Sequence, residues 1–204
     1  MRSQKVAVRC HPFSRNMAHA RHLPKKDDKP ISFEVGQKVV YPGRGVGQIQ
    51  SIETKEIAGI KISLYMIRIL ESDVTVMVPL DKVRNVGVRP VVAGKQVQEV
   101  YKMLRDKKVI VEQTTWNRRY REYMEKINTG SIFEIGEVLR DLCVLRAEKV
   151  LSFGERQMLE RAKTFLVKEL AVAEETDVPT VEATVEDIYG PGLEANQIAI
   201  NGEE

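Results

Sequence analysis

The chain has few residues of the kinds that bind metals, form disulfides or act as nucleophiles. Only two of its 204 residues are cysteine and three are histidine. Cys10 and Cys143 lie in unlike surroundings, too few and too far apart for a disulfide framework, which is typical of a reducing cytoplasm. Residues 31–172 contain no histidine, and Cys143 falls on an apolar helical stripe. The sequence offers no set of nucleophile, base and metal ligands that could come together in one pocket. We therefore expect no enzyme activity, no cofactor and no metal site.

Long apolar runs are also missing. Hydrophobic residues make up 43% of the chain, but charged residues, at 30%, interrupt them every few positions. A membrane-spanning helix needs about 20 consecutive apolar residues. We therefore expect a soluble chain without a membrane partner, long enough to bury one good core or two modest ones.

The net charge of +3 conceals three blocks of different sign. Residues 1–30 hold eight Lys or Arg against two Asp, and residues 31–172 hold 24 basic against 18 acidic side chains. Residues 173–204 hold nine acidic side chains and no Lys or Arg. This pattern indicates a basic body that binds an anionic partner, with terminal segments that need not fold.

Residues 1–30 are expected to form a disordered basic extension, because prolines interrupt them and no apolar period is sustained. The group Cys10, His11, His19 and His22 fits no common zinc spacing and has no core to orient it. The Arg-rich start resembles an organelle transit peptide without a clear amphipathic helix. An extension absent from the working protein is the other alternative, and both stay open.

Residues 31–90 predict a small, strongly bent sheet or barrel of four or five strands and no helix. Apolar residues alternate or cluster in short runs at 33–41, 48–52, 60–70 and 74–78. Gly43, Gly45 and Gly47 could be compared with a phosphate-binding loop, but a strand rather than a helix follows them. Turn geometry and close backbone approach explain these glycines better.

Residues 95–173 predict a compact four-helix unit, which makes the fold class α+β. Apolar residues recur at helical spacing over 95–105 and from about Asn117 onward. Ser131 with Glu134, and Ser152 with Glu155, predict capping boxes at the starts of the third and fourth helices. Residues 174–204 are expected to be a disordered acidic tail that masks the basic face. Deleting residues 176–204 should then leave folding intact and raise DNA affinity modestly.

Trp116, the only tryptophan, stands just before three arginines, Arg118, Arg119 and Arg121. An indole can lean on an exposed base pair while guanidinium groups one turn away hold the flanking phosphates. Arg118 and Arg121 would share one helix face, while Tyr120 and the following apolar residues face the bundle. The alternative is a partly buried packing tryptophan beside a solvated arginine face.

Several separate motifs resemble the CarD/CdnL family of bacterial transcription regulators. They are Val-Gly-Gln-Lys-Val-Val-Tyr-Pro-Gly-Arg-Gly-Val-Gly at 35–47, Val-Pro at 78–79, Val-Gly-Val-Arg at 86–89, Thr-Trp-Asn-Arg-Arg-Tyr at 115–120 and Leu-Ser-Phe-Gly-Glu-Arg-Gln-Met-Leu-Glu-Arg-Ala at 151–162. The resemblance covers residues 33–173, with both domains in the order found in the family. It implies a Tudor-like domain at 31–90 that binds the RNA polymerase β subunit and a DNA-binding helical domain at 95–173.

The resemblance also implies roles for individual residues. Trp116 matches a tryptophan that wedges into the minor groove of promoter DNA at the upstream edge of the transcription bubble and stabilises the open complex. Arg118, Arg119 and Arg121 match its basic neighbours. We expect a cytoplasmic bacterial protein that acts as a monomer and associates with the nucleoid through polymerase.

On the polymerase side, the resemblance implies contacts by Lys55 in the second strand and by the strand that ends at Val-Pro. In that strand, Met77 stands where the family often has arginine. If this strand lies at a sheet edge, it can add to a strand of the polymerase through backbone hydrogen bonds. The expected polymerase contacts are therefore Lys55, Thr75, Val76, Met77 and Val78. The rival interpretation is a nucleic-acid-binding protein that works without polymerase.

Overall fold

A computed structural model of the chain describes residues 32–57, 59–106 and 115–189. An antiparallel sheet comes first, with strand order β4-β3-β2-β1-β5. Its five strands are β1 (Lys38–Tyr41), β2 (Gly45–Ile57), β3 (Ile60–Ile69), β4 (Thr75–Pro79) and β5 (Arg89–Pro90). The expected number of strands is confirmed. The proposed basic extension at 1–30, with its cysteine and histidines, lies outside the described residues.

The core of the sheet is formed by alternate residues of the long strands. A register shift between Ile49 and Ser51 bends β2 against β3, as expected for a strongly curved sheet. The buried side chains are Phe33, Val39, Ile49, Tyr65, Ile67, Ile69, Val78, Val83 and Val88. The expectation of no helix in this region is wrong, because a 3-10 turn (Leu80–Lys82) leads into helix α1 (Val83–Val86). Val83 anchors this short helix to the sheet core.

Glycines at the β1–β2 hairpin serve the turn and the sheet, which agrees with the sequence interpretation. Gly45 has φ of +84°, a left-handed conformation that side chains disfavour. A Cβ on Gly47 would lie 2.8 Å from Cγ2 of Ile67, so β2 and β3 could not keep this spacing with any other residue. Neither position offers amides to a phosphate at a helix start.

Five helices follow the sheet: α2 (Lys95–Arg105), α3 (Trp116–Thr129), α4 (Ile132–Glu148), α5 (Phe153–Ala173) and α6 (Val178–Tyr189). The capping box of Ser152 and Glu155 is present at the start of α5, as expected. The one proposed for Ser131 and Glu134 is wrong, because Ser131 makes no capping bond. Glu134 accepts a hydrogen bond from the hydroxyl of Thr129 instead.

The acidic C-terminal segment is partly folded, which corrects the expectation of a disordered tail from residue 174. Helix α6 lies within that segment and buries Val181 and Val185 in the helical core. Lys163 of α5 forms ion pairs of 2.5 and 2.7 Å with Glu182 and Glu186. Acidic composition suggested disorder, but two valines four residues apart give α6 a packing face. Residues 190–204 lie outside the described residues.

Deleting residues 176–204 is therefore expected to destabilise the protein, contrary to the sequence expectation. Burial of Val181 and Val185 is lost at about 1.5–3 kcal/mol per side chain, and Lys163 loses both partners. Urea unfolding of the full chain and the truncated chain measures the difference. Deletion of residues 190–204 alone keeps α6 and serves as the control. Equal unfolding free energies for the full chain and the longer deletion would contradict the packing role of α6.

Several polar contacts join the sheet region to the helices. Arg161 Nη2 lies 3.3 Å from the Gly43 carbonyl oxygen, and Lys168 pairs with Glu71 at 3.1 Å. The most buried contact is made by Arg89 of β5, which donates to both carboxylate oxygens of Glu169 at 2.6 and 2.9 Å. The sheet is thereby fastened to α5.

None of the helices in the described part of the chain is long and apolar enough to cross a membrane. Those same residues contain no group of three or more His, Cys, Asp or Glu side chains placed to hold a metal ion.

Candidate functional site

Trp116 begins helix α3, as the sequence indicates, and its indole is partly buried. The ring packs against the backbone of Gly154 in the first turn of α5, where a Cβ would lie 2.9 Å from the indole Nε1. Tyr120, one turn later, meets it edge to face with ring centroids 5.6 Å apart. The indole is therefore held in one place by a glycine surface and an aromatic neighbour while part of it remains open to solvent.

Arg118 and Arg121 are exposed on α3, within the five residues that follow Trp116. They are three residues apart, which places them on one helix face, as the spacing predicts. Arg118 Nε contacts Glu122 at 3.0 Å, but its side chain is still largely in solvent. A pair of this kind is weak and easily exchanged for a phosphate contact. Both arginines are thus accessible to an anion near the start of α3.

Arg119 and Tyr120 require corrections. Arg119 is only 7% exposed, and its Nη2 lies 2.5 Å from Glu155 Oε1. It shares the buried stripe of α3 with Tyr123 and Ile127, so its guanidinium stabilises the bundle and is not placed to contact phosphate. Tyr120, expected to face the bundle, is 45% exposed beside Trp116. Arginine-rich sequence alone could not distinguish the inward arginine from its outward neighbours.

Glu155 connects the beginnings of α3 and α5 beneath the indole. Besides Arg119, its Oε1 accepts from Lys149 Nζ at 3.0 Å, and its Oε2 accepts from the Ser152 backbone N–H at 2.8 Å. Burial alone would raise the pKa of this carboxyl, but the bonds from Ser152 and Lys149 outweigh burial and hold it below its ordinary value. Sequence reasoning identified Glu155 as a helix cap but missed its pairing with Arg119.

This network predicts an acid-sensitive stability. The Glu155 pKa is lower in the folded protein than in the unfolded chain, so its contribution is fully present above the ordinary value of 4.5 and is lost as pH falls through the lowered value. Urea unfolding followed by Trp116 fluorescence should show a steeper loss of stability below that pH in the parent than in Glu155→Gln. Parallel pH profiles for the two proteins would contradict this role.

An open groove of about 590 Å³ lies beside the indole. Its lining residues are Trp116, Arg119, Leu145, Glu148, Lys149, Ser152 and Glu155. The groove is thus aromatic on one side, and the charged side chains that line it are Arg119 and Lys149 together with the carboxylates of Glu148 and Glu155.

The second surface of interest is β4, which forms one edge of the sheet, as the docking hypothesis requires. The backbone N–H of Ile69 donates to the Val74 carbonyl at 2.9 Å. Because hydrogen-bonded pairs alternate along antiparallel strands, Thr75 and Met77 direct their backbone groups away from β3. These two residues present the pairing groups that another strand would use.

The side chains of β4 face opposite sides of the sheet. Val78 is buried in the sheet core and Val76 packs against it, so these two expected polymerase contacts do not present their side chains to a partner on the outer face. Met77 is 54% exposed on the outer face. Lys55 Nζ lies 3.5 Å from Met77 Sδ and 3.5 Å from a carboxylate oxygen of Glu53. The structure therefore brings Lys55 and Met77 together, although 22 residues separate them.

Family models match both the sheet region and the helical region of the chain. Residues 33–92 match the CarD-like/TRCF RID domain, and residues 99–186 match the C-terminal domain of CarD. The chain is 37% identical over 143 residues to the putative transcription factor YdeB of Bacillus subtilis, covering 69% of this chain and 91% of that protein.

Two solved structures are similar to part of the chain. CdnLNt from Myxococcus xanthus is 45% identical, with 32% of this chain and 92% of that chain covered and a TM-score of 0.28. The 72-residue N-terminal domain of Myxococcus xanthus CarD is 39% identical, with 35% and 93% covered and a TM-score of 0.26.

The chain belongs to the CarD/CdnL family and is a CarD-like transcription factor with a Tudor-like N-terminal domain.

Proposed function

We propose that this protein binds the RNA polymerase β subunit through the β4 edge and stabilises the promoter open complex with Trp116. In this proposal residues 31–90 dock on polymerase, while residues 95–173 contact the minor groove at the upstream edge of the bubble. Arg118 and Arg121 hold the flanking phosphates, and Arg119 supports the wedge from inside. One copy acts on each polymerase, in the bacterial cytoplasm and at the nucleoid.

The position of Trp116 is the observation that carries the proposal. The indole is fixed against Gly154 but still partly exposed, and two exposed arginines follow it within five residues. A wedge must be rigid, because a mobile ring would lose its conformational freedom on each contact with DNA. It must also be flanked by cations, because phosphate contacts fix its register on the duplex.

The sheet edge supports the docking half of the proposal. Backbone groups of Thr75 and Met77 point outward, and Lys55 and Met77 form a mixed cationic and apolar surface beside them. Strand addition supplies affinity through the backbone, while neighbouring side chains supply specificity. Met77 replaces a guanidinium with an apolar thioether, so Lys55 carries more of the charge complementarity on this face.

Docking also explains how a small DNA surface can be sufficient. Tethering to polymerase raises the local concentration of the α3 start near promoter DNA to about the millimolar range. The Trp116 contact shifts the equilibrium between closed and open complexes only to the extent that it binds melted promoter more tightly than closed promoter. An advantage of about 1.4 kcal/mol changes the ratio of open to closed complexes tenfold.

The test is the lifetime of polymerase–promoter complexes after competitor is added, measured with and without the protein. We expect a longer lifetime with the protein and weak, salt-sensitive binding to promoter fragments without polymerase. Tight binding to the same fragments at physiological salt without polymerase would favour the rival function, a polymerase-independent nucleic-acid-binding protein.

Lys55→Glu is expected to weaken binding to the polymerase β subunit about tenfold, equivalent to about 1.4 kcal/mol. The change reverses the charge beside Met77 and leaves two carboxylates, at 53 and 55, on the docking face. Lys61→Glu makes the same change in net charge on the opposite face of the sheet and is the matched control. Equal affinities of the two variants for β would contradict docking through this face.

A further inference from the structure

A cavity of about 610 Å³ lies where the sheet meets helices α5 and α6. The apolar side chains that line it are Val46, Leu70, Phe165, Ala171, Val172 and Val178. Of these, Leu70 and Val178 are still 47% and 39% exposed. Single exposed apolar residues are ordinary on protein surfaces. Two that line one cavity, from opposite ends of the described chain, indicate an apolar occupant.

The charged groups around the cavity leave one cation available. Lys168 pairs with Glu71 at 3.1 Å, and Asp177 accepts two hydrogen bonds from the first turn of α6. The Lys38 side chain has no hydrogen-bond or ion-pair partner among the described residues, and the remaining carboxylate is that of Glu175. The occupant that fits best is therefore apolar, with an acidic group near one end for Lys38.

The chain contains such a segment immediately after α6. Residues 190–204 include Leu193, Ile198 and Ile200, and they hold three glutamates and no Lys or Arg. Ile198 and Ile200 are two residues apart, a spacing that puts both side chains on one side of an extended chain. Glu203 follows Ile200 by three residues, about 10 Å of extended chain. The segment thus combines an apolar pair with a nearby carboxylate.

The length of the segment allows it to reach the cavity. The cavity lies at the start of α6, whose first residues line it, and the segment leaves from the other end, at Tyr189. The 12 residues of α6 span about 18 Å. Ile198 is nine residues beyond Tyr189, and nine extended residues span about 30 Å. The Gly-Pro-Gly sequence at 190–192 favours a reversal of the chain at this point.

We propose that Ile198 and Ile200 occupy this cavity in the same molecule and that Glu203 pairs with Lys38. The segment then covers the exposed faces of Leu70 and Val178 and fastens the sheet to α5 and α6. A weak contact is sufficient, because the covalent connection gives the segment an effective concentration of about a millimolar at the cavity.

Methyl NMR spectra of the full-length protein test this contact. The double variant Ile198→Ser with Ile200→Ser removes both apolar side chains and leaves the described residues intact. The methyl resonances of Leu70 and Val178 should then shift, because they lose their apolar cover. Unchanged resonances at both positions would overturn the proposal.

A matched control changes polar residues of the same segment. Gln197→Ser with Asn201→Ser alters two positions that alternate with the isoleucines, and the cavity resonances should stay where they are in the parent. The methyl groups of Val83, buried in the core of the sheet, should not move in either double variant. Equal shifts of the cavity resonances in both double variants would overturn the assignment to the isoleucines.

The reciprocal change is made in the cavity. Leu70→Ser should shift the methyl resonances of Ile198 and Ile200. Val74→Ser truncates a side chain of similar exposure, 44%, that does not line the cavity, and should leave the isoleucines unchanged. Circular dichroism should show that both variants remain folded, since each changed side chain is exposed. Isoleucine resonances that ignore Leu70→Ser would contradict the contact.

Two further measurements distinguish other occupants. The parent spectrum should not depend on protein concentration, and cavity resonances that shift on dilution would assign the cavity to a second copy instead. The probe 8-anilinonaphthalene-1-sulfonate, an apolar anion that reports exposed hydrophobic surface, should fluoresce more with the isoleucine double variant than with the parent. Equally strong fluorescence with both would show a cavity open to small molecules and overturn the proposal. None of these measurements involves polymerase or DNA, so their failure would leave the proposed function intact.

Discussion

Trp116→Ala is expected to keep polymerase binding and lose most of the stabilisation of the open complex. Truncation removes the only indole at the start of α3 and leaves Gly154 without its aromatic neighbour. Base–aromatic contacts contribute about 1–3 kcal/mol, so the lifetime of the open complex should fall about tenfold or more. The measurement is the decay of competitor-resistant promoter complexes at saturating protein.

Two controls separate this effect from damage to the fold. Trp116→Phe keeps an aromatic ring on Gly154 and should retain an intermediate lifetime. Tyr120→Ala removes a neighbouring exposed ring, although the indole still packs on Gly154, and should have a smaller effect than Trp116→Ala. A Trp116→Ala protein that stabilises open complexes as well as the parent would show that the wedge mechanism is wrong.

Arg89→Ala is expected to have the largest effect on stability. Arg89 donates to both oxygens of Glu169, which is 2% exposed, and its Nε and Nη2 lie 2.8 and 2.5 Å from the Gly130 carbonyl oxygen. Its removal leaves a buried carboxylate without its cation, which costs about 3–5 kcal/mol. Urea unfolding should show this loss. Arg89→Lys should recover only part of it, because an ammonium cannot form the paired bonds of a guanidinium.

Arg89 should also link the polymerase-bound sheet to the position of Trp116, because its partner Gly130 caps the C-terminal end of the helix that Trp116 begins. The double variant Arg89→Met with Glu169→Leu removes both charges and should recover much of the stability. It still lacks the bonds to Gly130, so it should bind polymerase normally but give shorter open-complex lifetimes than the parent. A double variant that restores both stability and lifetime would contradict the coupling.

Local patterns were sufficient to predict the sheet and most helix positions. Alternating apolar residues predicted the long strands, and the helical spacing of apolar residues over 95–105 predicted the bounds of α2 correctly. Ser152 and Glu155 predicted the capping box of α5, because such a motif depends only on residues within one turn. The docking hypothesis required β4 to lie at a sheet edge, and the strand order meets that condition.

Features that depend on distant residues were missed. Nothing near Arg119 in the sequence shows that Glu155, 36 residues later, faces it across the bundle. The packing of α6 was missed because the acidic composition of the segment suggested disorder more strongly than its two valines suggested a helix. Lys163, which pairs with the glutamates of α6, lies on another helix. The same limit applies to Arg89, whose partners at 130 and 169 converge only in the folded chain.

Photo-cross-linking at the upstream fork tests the central claim most directly. Promoter DNA carrying 5-bromodeoxyuridine at single positions is bound to polymerase and the protein, irradiated, and the attached peptide is identified by mass spectrometry. The proposed mechanism predicts cross-links to Trp116 confined to the first melted positions, and their loss in Trp116→Ala. Cross-links that map to other residues, or that fall only in fully paired DNA, would contradict it.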